Sequence, residues 1–310
     1  MNNDKEKSIL IHNFHYAGTT ALVRDFIRLG YKVYSPLNDW GGKIKYYEFG
    51  KKSLDSKFLR GVNLITYRMF LEIKPTHVML ACFEQYNDFG ALAKEVGAKI
   101  VVSVAGNDQP VVQEADFLIC PDVQTFEKYG FLYKKMLWFH PPVITTQFSE
   151  KNIRKSYAQN KIYSYIRNYA EYWKKGYALF EEFQKGWGYV DNFGYPGTEL
   201  STEEVHKRML ESKFTLYLKD KDCYGQAVLE SMALGTPIIA NRELIAGKTL
   251  GEKFLNNTNS ILFDDVQHAL NRIKTMTLDE YRQMCLNAMA TVKVMTDSDL
   301  RLKKMRDIGL

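Results

Sequence analysis

The sequence predicts an α/β protein with two domains, each built around a parallel sheet covered by helices. Short apolar segments of strand length alternate with amphipathic helical segments, and glycine or proline follows most of the helical ones. This alternation is typical of parallel sheets with helices on both faces. The 310 residues suffice for two domains of ordinary size, each with its own core.

The first series of elements occupies residues 1–150. An apolar strand over residues 8–13 leads through a loop ending at Gly18 to a helix that stops at Gly30, and a strand follows over residues 31–35. Strand, helix and strand in this order form a βαβ unit. Beyond it we expect helices over residues 58–74, 89–96 and 123–129, and strands over residues 76–82, 99–104 and 115–120.

The second series occupies residues 151–310 and begins after a charged segment, residues 150–161. Ser201 followed by Glu204 is a capping box, so a helix should start at residue 202. We expect strands over residues 161–166, 189–193, 214–218 and 237–240, helices over residues 173–184, 202–212 and 224–234, and a helical tail over residues 266–308.

Composition and charge exclude several classes of protein. Hydrophobic residues make up 45% of the chain and charged residues 25%, as in globular proteins. No apolar run approaches the roughly 20 residues that span a bilayer, so we interpret the protein as cytoplasmic. The four cysteines are far apart and lack zinc-binding spacing, which predicts free thiols and no metal site. The net charge of +6 does not by itself indicate nucleic-acid binding.

Basic and aromatic residues are interleaved in residues 43–60. Six cations stand there against two acids: Lys43, Lys45, Lys51, Lys52, Lys57 and Arg60 against Glu48 and Asp55. Such a stretch suits an anionic surface, either a nucleic-acid backbone or lipid headgroups. It suits a solvated loop and helix face as well.

The residues that indicate chemistry concentrate in residues 221–241. Asp222 and Gly225 lie in a loop that opens a predicted helix, and Glu230 follows eight residues after Asp222 on that helix. A helix N-terminus that follows a glycine loop is a natural anion site, because unpaired backbone N–H groups and the helix dipole point at the same place. Glu230 can hydrogen-bond a ribose diol. The segment therefore predicts a nucleotide diphosphate site at the carboxyl edge of a parallel sheet.

This segment resembles the donor-site signature of retaining GT-B glycosyltransferases of the glycogen-synthase-like branch. That family carries an acid, seven residues, a glutamate, small residues and then Gly-Thr-Pro before a hydrophobic strand, and residues 222–237 follow this order with Tyr224 and Gly225 between the two acids. Asp222 departs from the usual first glutamate by one methylene. The resemblance implies that Asp222 contacts the transferred sugar and that Glu230 holds the nucleotide ribose.

Other residues match the same family pattern. The resemblance implies that Arg167 and Lys175 hold the donor pyrophosphate and stabilise the charge of the departing nucleotide. Gly18 matches a loop that approaches the donor phosphates, and Gly194 matches a turn near the nucleotide base, although a plain tight turn fits Gly194 equally well. Asp108 lies where the family often has a histidine; it could orient or deprotonate the acceptor hydroxyl, or form an Asx turn.

The resemblance also implies the architecture and the reaction. The expected fold is GT-B: two Rossmann-like domains, residues 1–150 and 151–310, with parallel sheets facing a central cleft and C-terminal helices that cross back to the first domain. The expected reaction moves a sugar from a nucleotide diphosphate, with UDP as the expected nucleotide, to an acceptor hydroxyl with retention at the anomeric carbon. No metal and no other cofactor is expected.

The acceptor and one other class of function stay open. A glycan or lipid acceptor is the commonest use of this branch, and the basic stretch could then contact a membrane peripherally. A hydroxymethylated pyrimidine in DNA is the alternative, as in phage DNA glycosyltransferases, and the target base would then have to leave the stack. A non-catalytic sugar-nucleotide-binding protein is the alternative of another class, although such a protein should have lost Arg167, Lys175 or Glu230.

Overall fold

The chain divides into two compact units. The computed structural model describes residues 6–11, 16–44, 60–80, 86–103, 115–120, 127, 133–138, 150–165, 174–193, 200–220 and 225–310. The first unit comprises Met1–Pro142 and Thr296–Leu310, and the second comprises Val143–Met295. The sequence placed the boundary at residue 150; in the structure the second unit begins at Val143, and the last segment of the chain belongs to the first unit.

The described residues of the first unit form a seven-stranded sheet in which all pairs are parallel. Its strands are β1 (Ser8–Ile11), β2 (Lys32–Pro36), β3 (Val62–Ile65), β4 (His77–Leu80), β5 (Lys99–Ser103), β6 (Ala115–Cys120) and β7 (Tyr133–Trp138). Their order is β3-β2-β1-β4-β5-β6-β7. The order reverses between β1 and β4, as in doubly wound Rossmann sheets.

The described residues of the second unit also form a doubly wound parallel sheet, with five strands. Its strands are β8 (Ile162–Ser164), β9 (Asp191–Asn192), β10 (Phe214–Tyr217), β11 (Ile238–Asn241) and β12 (Ser260–Phe263). Their order is β12-β11-β10-β8-β9, so the direction of winding reverses between β8 and β10. In open α/β sheets, ligands bind outside the carboxyl ends of the strands at such a switch point.

Helices connect the strands and extend the C-terminus. They are α1 (Tyr16–Arg28), α2 (Tyr67–Ile73), α3 (Ala91–Val96), α4 (Glu150–Gln159), α5 (Lys174–Trp187), α6 (Thr202–Glu211), α7 (Gln226–Ala233), α8 (Arg242–Ile245), α9 (Val266–Thr275), α10 (Leu278–Met295) and α11 (Ser298–Ile308). Short π-helical turns cover Tyr86–Gly90 and Leu250–Phe254. Ser201 caps α6 as expected, because its hydroxyl accepts a hydrogen bond from the Glu204 amide at 3.2 Å.

Several sequence-based expectations were wrong in the first unit. The helix expected over residues 58–74 is a strand followed by a helix: β3 pairs with β2, and the Thr66 side chain then caps α2 by accepting from the Met69 amide at 3.3 Å. β7 was missed because Lys134 and Lys135 interrupt its apolar pattern. The helix expected over residues 123–129 falls almost wholly outside the described residues.

The structure of the second unit differs from the sequence-based expectations at four places. The charged segment after residue 150 is the helix α4, which buries Ile153. The helix expected over residues 173–184 continues to Trp187, and Gly186 lies inside it at a position where a Cβ would overlap Leu270. β12 was missed because its apolar run is short. The helical tail is three separate helices.

The cysteines agree with the expectation of free thiols in the described part of the chain. Cys120 and Cys285 are free and buried, whereas Cys82 and Cys223 lie outside the described residues. Burial raises the pKa of the Cys285 thiol to about 12. Among the described residues, no helix combines the length and apolarity that crossing a membrane requires.

A buried ion pair fastens α11 to α1 within the first unit. Arg301 donates from Nε and Nη2 to the two carboxylate oxygens of Asp25, at 2.5 and 2.8 Å, and both side chains are almost fully buried. Arg301 also donates to the Thr296 carbonyl at 3.2 Å. Burial raises the pKa of the Asp25 carboxyl, and Arg301 opposes that rise. The bidentate geometry leaves neither charge uncompensated.

We expect Asp25→Ala to lower the free energy of unfolding by about 3 kcal/mol or more, because the Arg301 charge then stays buried without a partner. Urea denaturation measures this change. Arg28→Ala is the matched control: it removes an exposed ion pair to Asp299 between the same two helices, and it should cost at most about 1 kcal/mol. Equal losses in the two variants would contradict the role of the buried pair.

A buried histidine makes the first unit sensitive to acid. His77 begins β4, is 6% exposed, and its Nδ1 lies 3.0 Å from the Thr76 hydroxyl. Burial lowers the pKa of His77 to about 4, and the Lys99 and Lys7 charges add to that effect while Asp116 opposes it. An unfolded histidine titrates near its ordinary pKa of about 6.5, so the unfolded chain takes up the proton first as the pH falls.

The stability that neutral His77 confers should therefore be complete above about pH 6.5 and disappear as the pH falls towards 4, by about 3 kcal/mol in total. We expect His77→Gln to flatten the pH dependence of unfolding in this window. Urea denaturation from pH 4 to pH 7 measures it, and His268→Gln, at an exposed position, is the control. Parallel pH profiles for wild type and His77→Gln would show that His77 is not the group responsible.

Candidate functional site

The candidate site lies at the switch point of the second sheet. β8 pairs with β10 on one side and with β9 on the other, so the carboxyl ends of these three strands share one edge. The helices α5, α6 and α7 follow β8, β9 and β10 in the chain, so their first turns begin at that same edge. Helix N-termini concentrate unpaired N–H groups and positive dipole ends there.

Gly225 begins α7 in a conformation that favours glycine. Its φ is 57° and its ψ is 78°, in the left-handed region, and its carbonyl accepts from the Val228 amide at 2.8 Å. A Cβ here would lie 3.0 Å from Leu250 and 3.4 Å from Tyr217. Among the described residues, no side chain caps this helix. The glycine thus permits the sharp turn with which α7 begins.

Glu230 lies in the second turn of α7. One of its carboxylate oxygens contacts a residue of α7 itself, and the other faces a residue of α6. Oε1 accepts from Gln226 Nε2 at 3.3 Å, and Oε2 lies 3.6 Å from Nε2 of His206 in α6. The Glu230 side chain is 14% exposed and that of His206 is 4% exposed. The carboxylate is therefore held between α6 and α7 with part of its surface open, and it can accept further hydrogen bonds from a ligand.

A second group of contacts holds the end of β9 against β8. The Tyr163 hydroxyl donates to the Phe193 carbonyl at 2.8 Å. Arg208 pairs with Asp191 at 2.6 Å and places its guanidinium 4.4 Å from the centre of the Phe193 ring. Burial raises the pKa of Tyr163, and Asp191 and Glu230 add to that rise while Arg208 opposes it. Tyr163 is therefore a neutral donor that fixes the chain just before Gly194.

A buried hydroxyl at the end of β8 has no hydrogen-bond partner among the described residues. Ser164 is 1% exposed, and it lies in register with Leu216 of β10 and Asn192 of β9. Buried polar groups in native proteins are nearly always satisfied, by protein, water or ligand. Sequence reasoning missed Ser164, because a serine in an apolar strand belongs to no recognisable motif.

Lys175 lies in the first turn of α5 and pairs with Glu243 of α8. Both side chains are more than half exposed. An exposed ion pair contributes little to stability, so the ammonium can exchange this carboxylate for a phosphate at small cost. The sequence predicted Lys175 as a phosphate ligand and missed Glu243, its partner.

The structure describes four of the nine predicted site residues. Gly225, Glu230 and Lys175 lie in the first two turns of α7 and α5, and Gly18 lies in α1. The loop expected to reach Gly18 is shorter than predicted, because α1 already begins at Tyr16. The other five lie outside the described residues: Asp108, Arg167, Gly194, Asp222 and Tyr224.

Comparison with known proteins gives a match at the level of structure only. No family model matches the chain, and no curated protein matches its sequence significantly. HepE from Anabaena, solved with UDP and glucose, superimposes with a TM-score of 0.64 at 12% identity, over 97% of this chain and 98% of that chain. A glycosyltransferase from Rickettsia africae gives 0.64 at 12% identity, over 98% and 97%. Sucrose-phosphate synthase from Thermosynechococcus elongatus gives 0.62 at 11% identity, over 97% and 98%.

These identities are too low to carry an activity from one protein to another, and they establish the fold. Both units have the strand order of a Rossmann-like domain, and the superpositions extend over nearly the whole of each chain. The chain therefore has the GT-B fold that the sequence predicted.

Proposed function

We propose that this protein is a retaining glycosyltransferase that moves a sugar from a UDP-sugar to a hydroxyl of a glycan or lipid acceptor. The observation that carries the proposal is the start of α7 at the switch point of the second sheet. There a left-handed glycine opens a helix whose second turn presents a partly open carboxylate, Glu230. This combination offers N–H groups to a diphosphate and an acceptor to a ribose.

Two further observations support the proposal. Residues 222–237 carry the acid and glutamate spacing of the retaining GT-B enzymes. HepE, which shares the fold, has been solved with UDP and with UDP-glucose. We infer UDP as the nucleotide from this likeness.

In the proposed reaction, residues of the second unit stabilise the nucleoside diphosphate as it leaves. Glu230 accepts hydrogen bonds from the ribose, and the first N–H groups of α7 face the diphosphate. Lys175 leaves Glu243 and, with Arg167, takes up negative charge as the bond from the anomeric carbon to the diphosphate oxygen breaks and its electron pair moves to that oxygen. The acceptor oxygen then bonds to the anomeric carbon. Asp222 contacts the sugar, and Asp108 orients the acceptor or takes its proton.

Positive charge supplied by side chains and a helix terminus replaces what a divalent cation supplies in other transferases. We therefore propose that no metal and no other cofactor takes part.

The proposed function is tested by a panel of sugar nucleotides with released nucleoside diphosphate as the readout. The assay is run with glycan acceptors, with lipid vesicles, with hydroxymethylated DNA and with no acceptor. We expect transfer from a UDP-sugar, undiminished by EDTA, in the glycan or lipid arm. Transfer only in the DNA arm would favour the alternative acceptor. Binding of a sugar nucleotide without transfer in any arm would favour a non-catalytic binding protein.

We expect Glu230→Gln to weaken UDP binding about tenfold or more, because a charged hydrogen bond contributes about 1.5–3 kcal/mol. Lys175→Ala should weaken it by a similar factor, while Lys174→Ala, at an adjacent exposed position, should have little effect. Isothermal titration calorimetry measures the affinity, and circular dichroism checks that each variant is folded. An unchanged Kd in Glu230→Gln would refute the assignment of this residue.

Gly225→Ala tests the turn before α7. A left-handed alanine costs about 1–2 kcal/mol, and the Cβ contact with Leu250 should displace the start of the helix. Gly97→Ala is the matched control, since Gly97 has a similar φ of 69° but open space around it. We expect both variants to lose stability in thermal unfolding and only Gly225→Ala to lose affinity for UDP. Equal UDP affinity in the two variants would argue against an anion site at α7.

A further inference from the structure

His206 lies with its imidazole beside the carboxylate of Glu230. Its side chain is 4% exposed, and its Nε2 is buried without a hydrogen bond among the described residues. The Glu230 Oε2 atom faces this nitrogen at 3.6 Å, slightly beyond hydrogen-bond distance. A buried ring nitrogen of this kind is costly unless it acquires a partner.

The other oxygen of Glu230 has its own partner on the protein side. Gln226 Nε2 donates to Oε1 at 3.3 Å, and Gln226 precedes Glu230 by one turn of α7. Two carboxylate oxygens offer about four lone-pair positions. If Gln226 and His206 each take one, two positions remain, and they fit the two hydroxyls of a vicinal diol.

The 3.6 Å between His206 Nε2 and Glu230 Oε2 is slightly longer than a hydrogen bond, so a small side-chain movement would close it. Hydrogen bonds at binding sites often shorten when a ligand binds. We propose that His206 is a positioning residue that hydrogen-bonds Glu230 in the bound state and orients its carboxylate towards the 2′- and 3′-hydroxyls of a nucleoside diphosphate. The inference rests on the proposed function, because it assumes that Glu230 meets the ribose.

Tyr163 and Arg208 are the other polar groups to consider near the pair, and each already has another partner. Glu230 is close enough to Tyr163 to contribute to the raised pKa of that tyrosine, but the Tyr163 hydroxyl already donates to the Phe193 carbonyl. Arg208, two residues after His206, forms ion pairs with Asp191 and Glu204. The donor that faces Oε2 from α6 is therefore the imidazole.

The test compares UDP with 2′-deoxy-UDP, which lacks one hydroxyl of the diol, by calorimetry on the full chain. Wild type should bind UDP at least about tenfold more tightly than 2′-deoxy-UDP. His206→Leu should reduce UDP affinity by about tenfold and 2′-deoxy-UDP affinity much less, so the preference for the diol disappears. His206→Gln, which places an N–H donor near the position of Nε2, should retain most of the preference. His268→Gln is the exposed control and should change neither affinity.

Each outcome decides the inference. An unchanged ratio of the two affinities in His206→Leu would overturn the role of His206 while leaving the proposed function intact. An equal loss of both affinities in His206→Leu and His206→Gln would assign His206 a structural role only. If wild type binds no nucleoside diphosphate at all, the proposed function fails, and the inference about His206 fails with it.

Discussion

The position of β8 between β10 and β9 in the second sheet is the constraint on which the candidate site depends. Ile162–Ser164 pairs with β10 on one side and with β9 on the other, and both pairings are parallel. Parallel neighbours require crossover connections, and the helices that make them start at the carboxyl edge of the strands. Lys175, His206 and Glu230 come from three different helices, and these helices begin at the same edge of the sheet for this reason.

Among the described residues, Asp25–Arg301 and Glu230–His206 are both largely buried pairs of a carboxylate and a nitrogen donor, but their hydrogen bonding differs. Two short hydrogen bonds join Asp25 to Arg301, and the pair holds the C-terminal helix α11 against α1 in the first unit. Glu230 and His206 stay 3.6 Å apart, and the carboxylate is partly open. In the Asp25–Arg301 pair each carboxylate oxygen already accepts a hydrogen bond from the guanidinium. In the Glu230–His206 pair the carboxylate can still accept hydrogen bonds from a ligand.

The structural similarity to HepE at 12% identity shows that two chains can share this fold with few identical residues. Strand length, apolar character and the placement of turns are enough to specify two doubly wound sheets, and many different side chains meet those conditions. The proposed function then depends on a few local features, such as a left-handed glycine and a carboxylate in the second turn of the helix that follows it. Those features can be recognised in a single sequence even where overall similarity is too weak to detect.

The sequence by itself determined the α/β class, the parallel sheets, the capped start of α6 and the placement of Gly225 and Glu230 at the start of one helix. Each of these follows from residues that lie within a few positions of one another, since caps, turns and strand periodicity are local effects. We expected a helix where β3 lies, because a four-residue strand directly before a capped helix has an apolar content similar to that of one longer helix. Only the tertiary structure decided that His206 faces Glu230, that Lys175 pairs with Glu243 and that Tyr163 holds Phe193. These contacts join residues far apart in the chain, and strand order and register, rather than local preference, bring them together.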